Sequence, residues 1–136
     1  MKIVNGRFSV EISSGFDKFW CYNIAVTCGC FDGDGKRTGF ASAEDTVADV
    51  GANMQAPPAG YRTPRTVTFE TEPCSRLLMY IYIIPHTLPA DNDIAESKPF
   101  DLKVRVSRDG ERVFERTYTI NRWSGASLEL SIPPEE

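Results

Sequence analysis

The sequence of 136 residues contains only one histidine, His86, and this limits the catalytic chemistry it can carry. Any Ser-His or Cys-His pair would have to use this residue, which follows an apolar segment that ends at Pro85. The sequence also lacks a nucleophile elbow, a phosphate-binding loop, a dinucleotide fingerprint and a paired-carboxylate pattern. We therefore predict no catalytic residue and no cofactor, and keep an enzyme that uses His86 as an alternative.

Basic residues are not in excess, because 15 Lys and Arg stand against 19 Asp and Glu, a formal net charge of -4. Nucleic-acid binding depends on a cationic face and is not expected. No apolar run approaches the roughly 18 residues of a membrane helix, so membrane insertion is not expected either.

The first residues alternate in polarity where a signal peptide would be apolar. This predicts a cytoplasmic protein with reduced thiols, and a trimmed form of an exported protein is the alternative.

Period-two alternation of apolar and polar residues is the main feature that is present. It indicates strands with one buried face near residues 4–13, 20–28, 66–70, 100–107 and 128–132. Seven to eight short strands with irregular connections predict one all-β domain over residues 1–136, an antiparallel two-sheet β-sandwich with at most one short helix. A partly closed barrel is the alternative. The Cys-Trp-Cys order of immunoglobulin domains is absent.

One predicted strand differs from the others, because residues 77–84 are apolar on both parities. Such a strand is covered on both faces, or has one face in the core and the other against a partner. A buried helix is the competing interpretation, but Ile and Tyr content and the stop at Pro85 favour a strand.

Residues 40–50 are the only segment with helical spacing, through Phe40, Ala43, Val47 and Val50. Ser42 could cap a two-turn helix there, and a short edge strand could occupy the same residues.

The sequence around Asp109-Gly110 predicts a β-hairpin. A two-residue loop would place Lys103 opposite Arg116, so we favour a three-residue loop with a bulge. This register pairs Val104 with Phe114, Phe100 with Tyr118 and Lys103 with Glu115, and it leaves Arg112 and Arg116 on the mostly apolar face near the sheet's periphery.

Two groups of residues have side chains of the types that bind metal ions. Asp32 and Asp34 are separated by glycine, but Lys36 stands where a calcium loop needs its third oxygen ligand, so we predict a local turn. A second acidic loop, Asp91 to Asp93, could complete a two-loop calcium site. Four cysteines could hold zinc, but one close pair and two distant singles favour inert buried thiols. We predict no metal.

The segment from Ser97 to Trp123 carries seven basic and four acidic residues. Trp and Arg dominate binding hot spots, and this basic hairpin ends in an Arg-Trp pair. The predicted binding residues are therefore Arg105, Arg112, Arg116, Arg122 and Trp123, although a loop tryptophan more often covers the core. A second candidate surface contains Tyr61, Arg62 and Arg65.

These patterns predict a non-catalytic protein-protein interaction module: an adaptor, an inhibitor or an assembly subunit. The expected partner is another protein or a second copy of this chain. The alternative is a β-sandwich that binds carbohydrate or calcium through the loops 29–39 and 86–98.

Overall fold

The computed structural model describes residues 6–90 and 97–132. In these ranges it has one 3-10 turn, Phe19–Cys21, and eight strands. The strands are β1 (Phe8–Ser14), β2 (Tyr22–Phe31), β3 (Arg37–Asp45), β4 (Arg65–Glu70), β5 (Arg76–Pro85), β6 (Phe100–Arg108), β7 (Glu111–Ile120) and β8 (Ala126–Ile132). Within the described ranges, no helix has the length and apolarity needed to span a membrane.

The strands form two four-stranded sheets in which the paired strands are antiparallel. Sheet A has the order β4-β1-β6-β7 and sheet B the order β3-β2-β5-β8. The sheets pack face to face, with β3 next to β4 and β7 next to β8 at the two sides. This confirms the predicted two-sheet sandwich.

Alternation along the strands builds the core between the sheets. In β1, Phe8, Val10 and Ile12 are buried while Ser9 is exposed. Full burial of one large apolar side chain contributes about 1.5 to 3 kcal/mol, so these inward faces hold the sheets together. Further buried apolar residues are Ile24, Val26, Leu77, Met79, Ile81, Ile83, Leu102, Val104 and Val106.

The segment that is apolar on both parities forms β5, an interior strand of sheet B between β2 and β8. Leu77, Met79, Ile81 and Ile83 point into the core and are almost completely buried. The alternate side chains, from Leu78 to Ile84, lie on the outer face of the sheet and are only partly covered.

Of the two alternatives for residues 40–50, the helix is wrong and the edge strand is confirmed, because β3 occupies Arg37–Asp45 at the edge of sheet B. Ala41 and Ala43 face inward while Phe40 is 63% exposed. Antiparallel pairing with β2 satisfies the backbone groups of this segment. The pairing outweighs a helical spacing of only a few apolar residues, one of which, Val50, is 72% exposed.

The preferred register of the β6–β7 hairpin is also wrong. Asp109 and Gly110 both have positive φ, 51° and 85°, and form a two-residue turn, so Arg108 pairs with Glu111. A bulge then leaves Val113 as the extra residue. Relative to a two-residue hairpin without a bulge, the pairing shifts by one residue in the direction opposite to the predicted shift. The resulting pairs are Val106 with Phe114, Leu102 with Tyr118, Val104 with Arg116 and Arg105 with Glu115.

The 3-10 turn connects the two sheets through its carbonyl oxygens. The buried Arg65 of sheet A donates from Nη1 to the oxygens of Phe19, at 2.9 Å, and Tyr22, at 2.6 Å. It also donates from Nε to Asp45 Oδ2 and from Nη2 to the Asp45 carbonyl, both at 3.0 Å. Arg65 therefore belongs to the interior and not to the second surface that was predicted with Tyr61 and Arg62.

We expect Arg65→Met to lower the free energy of unfolding by about 2 to 4 kcal/mol, because it leaves two buried carbonyl oxygens without these donors. Urea denaturation measures the change. The matched control is Arg62→Met, at an exposed position, which should change stability by no more than about 0.5 kcal/mol. A loss below about 1 kcal/mol for Arg65→Met would contradict this role.

Stability should fall as the pH rises above about 9. Burial raises the pKa of the Cys28 thiol from 9.0 to about 12 and that of the Tyr22 phenol from 10.0 to about 12. Above the ordinary values the unfolded chain loses these protons and the folded chain keeps them, which favours unfolding by up to about 1.4 kcal/mol per pH unit and group.

The urea midpoint, measured between about pH 8 and about pH 11, tests this dependence. The Tyr22→Phe variant should show a shallower decline above about pH 10 than the unmodified protein. An unchanged slope would contradict the assignment to Tyr22.

Candidate functional site

The five residues predicted to bind a partner do not form one surface. Arg105 lies on the outer face of sheet A, where its Nε donates to Glu115 Oε2 at 2.7 Å and its Nη1 lies 3.7 Å from Glu11 Oε1. Arg112 Nη1 lies 3.0 Å from the same Glu115 oxygen. These arginines therefore pair with neighbouring carboxylates, in half-exposed contacts that are screened by solvent.

Arg116 lies on the other face of β7 from Glu115. Its guanidinium is 5.9 Å from the ring centroid of Phe114 and 6.0 Å from that of Tyr118. Arg116 is exposed, and β7 is an edge strand of sheet A. The residue therefore lies at the periphery of the sheet, as predicted. Arg112 does not share this face, because the bulge at Val113 reverses the parity of β7.

Arg122 and Trp123 lie beyond the far end of β7, in the turn 121–125. Asn121 Oδ1 accepts hydrogen bonds from the backbone N–H groups of Trp123, at 2.8 Å, and Ser124, at 3.1 Å. The Arg122 guanidinium is 5.4 Å from the ring centroid of Phe16. Trp123 is half-buried, an intermediate between a core lid and an exposed anchor.

His86, the candidate catalytic histidine, is 2% exposed and uses both ring nitrogens within the fold. Nε2 lies 2.7 Å from the Trp20 carbonyl oxygen and therefore carries the proton as the donor. Nδ1 lies 2.8 Å from the Thr87 hydroxyl oxygen. The same oxygen accepts the Met54 N–H at 2.9 Å. The imidazole thus holds the 3-10 turn and neighbouring loops together, and it has no access to a substrate in this conformation.

Three cysteines, Cys28, Cys30 and Cys74, are buried in one region of the core. Burial and the neighbouring thiols raise the pKa of Cys28 and Cys74, so both remain protonated. Cys21 lies apart, as the partly exposed last residue of the 3-10 turn. Among the described residues no group of three or more His, Cys, Asp or Glu side chains is arranged to hold a metal ion.

We expect a native thiol titration with Ellman's reagent to modify Cys21 slowly and the three buried thiols not at all. All four should react in denaturant. A Cys21→Ser variant should lose the native reaction and keep three reactive thiols after unfolding. Rapid native modification of Cys28, Cys30 or Cys74 would contradict the inert assignment.

The glycine-rich segment after Phe31 is the predicted local turn. Asp32 Oδ1 accepts hydrogen bonds from the backbone N–H groups of Asp34, at 2.8 Å, and Lys36, at 3.0 Å. It follows β2, whereas the loop from His86 follows the antiparallel neighbour β5. The loop 29–39 and the described start of the loop 86–98 therefore lie at opposite ends of strands about 30 Å long. Asp91 to Asp93 lie outside the described residues.

The outer face of sheet B carries several partly exposed apolar side chains. Register places Tyr82 beside Ala25, Tyr80 beside Thr27 and Leu78 beside Gly29, so large side chains on β5 lie next to small ones on β2. Across β2, the β3 partners of these small residues are Glu44, Ser42 and Phe40, respectively. The β8 partners of Tyr82, Tyr80 and Leu78 are Ser127, Glu129 and Ser131.

This face has substantial exposed area, since Phe40, Tyr82 and Ile84 are 63%, 37% and 38% exposed. Within residues 6–90 and 97–132, no layer covers this face as sheet A covers the opposite face of β5. The sequence pattern predicted this strand and left open whether its second face is covered. The available signal was the parity of Leu78, Tyr80, Tyr82 and Ile84.

No protein-family model matches this chain, and no curated protein matches it. Among solved structures, it is similar to a DUF4425 family protein from Bacteroides ovatus over 94% of this chain and 93% of that chain. The two are 12% identical in sequence, with a TM-score of 0.40. A similarity at this level carries no argument about function.

Proposed function

We propose that this protein is a non-catalytic interaction module that binds another protein through the outer face of sheet B. The observation that carries the proposal is the interior strand β5, which has large apolar side chains on both faces, of which the described part of the chain covers only one completely. Removing such side chains from water is favourable, and tyrosines are frequent anchors of protein interfaces.

The acidic residues in the rows from Tyr82 to Leu78 indicate the kind of partner. Glu44 and Glu129 lie on the outer strands β3 and β8, while the central positions of β2 and β5 between them are uncharged. The three cross-strand rows from Tyr82 to Leu78 contain no Lys or Arg. A protein surface with an apolar centre and basic residues at its rim complements this arrangement.

The engagement of His86 and the protonated thiols support a function without catalysis. Both imidazole nitrogens are bonded to protein groups, and the thiols of Cys28 and Cys74 are not activated as nucleophiles. We assign the protein to the cytoplasm, where the neighbouring buried thiols would stay reduced.

The arginine surface predicted from sequence is a competing interface for the same function. Arg105 and Arg112 of this surface lie close enough to share a partner, but that partner is Glu115 of the same chain. A partner would have to displace or share these ion pairs, whereas the outer face of sheet B offers uncovered apolar area. We therefore favour the sheet B face.

The experiment combines crosslinking with affinity measurement. A photo-reactive benzoylphenylalanine at position 82 should crosslink a partner in cells, and the same group at position 68 on the outer face of sheet A should not. The partner, identified by mass spectrometry and purified, is then titrated against the protein by calorimetry.

The double variant Tyr82→Ser/Ile84→Ser should weaken binding at least about thirtyfold, as expected for hot-spot side chains. Thr68→Ser on sheet A is the matched control and should stay within about twofold. Equal binding by the double variant, or a loss confined to Arg105→Ala/Arg112→Ala, would contradict the proposed surface. A homodimer that dissociates in the double variant would assign the face to a second copy and overturn the proposal of a different partner.

A further inference from the structure

Strand β3 lies at one edge of sheet B, and β8 lies at the other. In the described part of the chain β3 pairs only with β2, so half of its backbone N–H and C=O groups point away from the sheet. Such an edge can pair with a strand of another chain, and folded proteins usually prevent this with short strands, charged residues or bulges. An edge without this protection is therefore a candidate interface.

The other three edge strands of the two sheets have such protection. β4 is short, with six residues. β8 carries Glu129 at its centre. β7 contains the bulge at Val113, which Glu115 and Arg116 follow closely. These three strands are therefore poor templates for pairing with another chain.

Strand β3 is the exception. It has nine residues, and none of residues 38–43 is charged. A bulge at Thr38 interrupts only the beginning of the strand, and the pairing with β2 is regular from Gly39 to Asp45. The regular part therefore offers an uninterrupted row of backbone groups to a second strand.

Phe40 lies within this uncharged stretch, on the outer face of sheet B. Its partner on β2 is Gly29, which has no side chain, and Phe40 is 63% exposed. A second strand along the edge would cover part of this ring, and removing apolar surface from water is favourable.

A second copy of this chain fits the edge by symmetry. Two identical strands that pair about a two-fold axis run antiparallel, and residues opposite each other lie on the same face of the sheet. With the axis at Ala41, Phe40 lies opposite Ser42 of the second copy, and the two Phe40 residues are diagonal neighbours. Diagonal neighbours are about 7 to 8 Å apart, which aromatic side chains can bridge, so each ring covers the other.

The charges at the two ends of β3 complement each other in the same pairing. Thr38 lies opposite Glu44 of the second copy, and Arg37 is next to Thr38. Arg37 and Glu44 are exposed, and neither forms an ion pair with another described residue. Because the axis relates the two ends of the interface, the attraction between Arg37 and Glu44 occurs twice.

We propose that this protein forms a reversible homodimer in which the β3 strands of two copies pair antiparallel and join the two copies of sheet B into one continuous sheet. The inference goes beyond the proposed function and does not depend on it. The outer faces of both copies lie on the same side of the joined sheet, so another protein can still reach them. A contact along one strand is small, so the dimer is weak and dissociates on dilution.

Sedimentation equilibrium between about 10 μM and about 1 mM protein, in about 0.15 M salt, measures the association. The mean mass should rise from that of one chain toward that of two. Hydrogen exchange at the two ends of this range locates the contact. Edge-facing amides between Gly39 and Ala43 should exchange more slowly at the high concentration, and those of β7 should not change.

Phe40→Lys should raise the dissociation constant of the dimer at least about tenfold, because it removes the ring contact and places two like charges near the axis. Thr68→Lys, at an exposed position on the outer face of sheet A, is the matched control and should stay within about twofold. Melting temperatures check that both variants fold.

The two charge variants at Thr38 should act in opposite directions. Thr38→Lys should tighten the dimer at least about threefold and Thr38→Glu should weaken it by a similar factor, because each substitution faces Glu44 of the other copy twice. Both variants lose the 3.4 Å hydrogen bond from the Thr38 hydroxyl to the Cys30 carbonyl oxygen, so this loss does not distinguish them. Thr68→Lys and Thr68→Glu correct for net charge.

A mass that stays at one chain up to about 1 mM would overturn the proposal. So would a dimer that Phe40→Lys does not weaken, or Thr38 variants that change affinity in the same direction after correction. The Tyr82→Ser/Ile84→Ser variant leaves β3 intact and should dimerise normally. Failure of the β3 dimer and failure of partner binding through the outer face are therefore distinguishable.

Discussion

The structure depends on how the carbonyl oxygens of residues 19–22 are satisfied, which belong to the 3-10 turn and to the first residue of β2. Arg65 bonds to the first and last of them, and the Trp20 oxygen accepts from the His86 imidazole. The Cys21 oxygen accepts the backbone N–H groups of His86 and Thr87, at 2.9 and 3.3 Å. Buried oxygens without donors are costly, so these contacts fix one end of the sandwich.

This constraint determines which residues are available for function. His86 and Arg65 are committed to the turn, and they cannot serve a reaction or a partner while they hold it. Other hydrogen bonds, from Asn23 to the backbone of Val47 and Ala48 and from the Met54 N–H to Thr87, position the loops after Asp45 and His86. The outer face of sheet B, which we propose as the interface, does not use these residues.

Most of the fold follows from local pattern, and the errors have a common physical origin. Val10 and Ile12 belong to one face whatever their neighbours are, because alternation is a property of a single strand. The assignment of residues 40–50 and the β6–β7 register depended on which partner strand was available and on where a bulge occurred. Val113 carries no sequence signal for a bulge, and its insertion changes the face of every residue before it in β7.

The candidate site was less predictable than the fold. Arg105 and Arg122 belong to the same basic segment of the sequence. In the structure they lie at different places on the sandwich, where each has its own neighbours. The sequence by itself determined the two-sheet class, the inward residues of the strands and the unusual double-sided apolarity of β5. Only the tertiary structure decided that the outer side of β5 is only partly covered by the described residues and that His86 is bonded internally, since such contacts join residues far apart in the chain and depend on packing between elements.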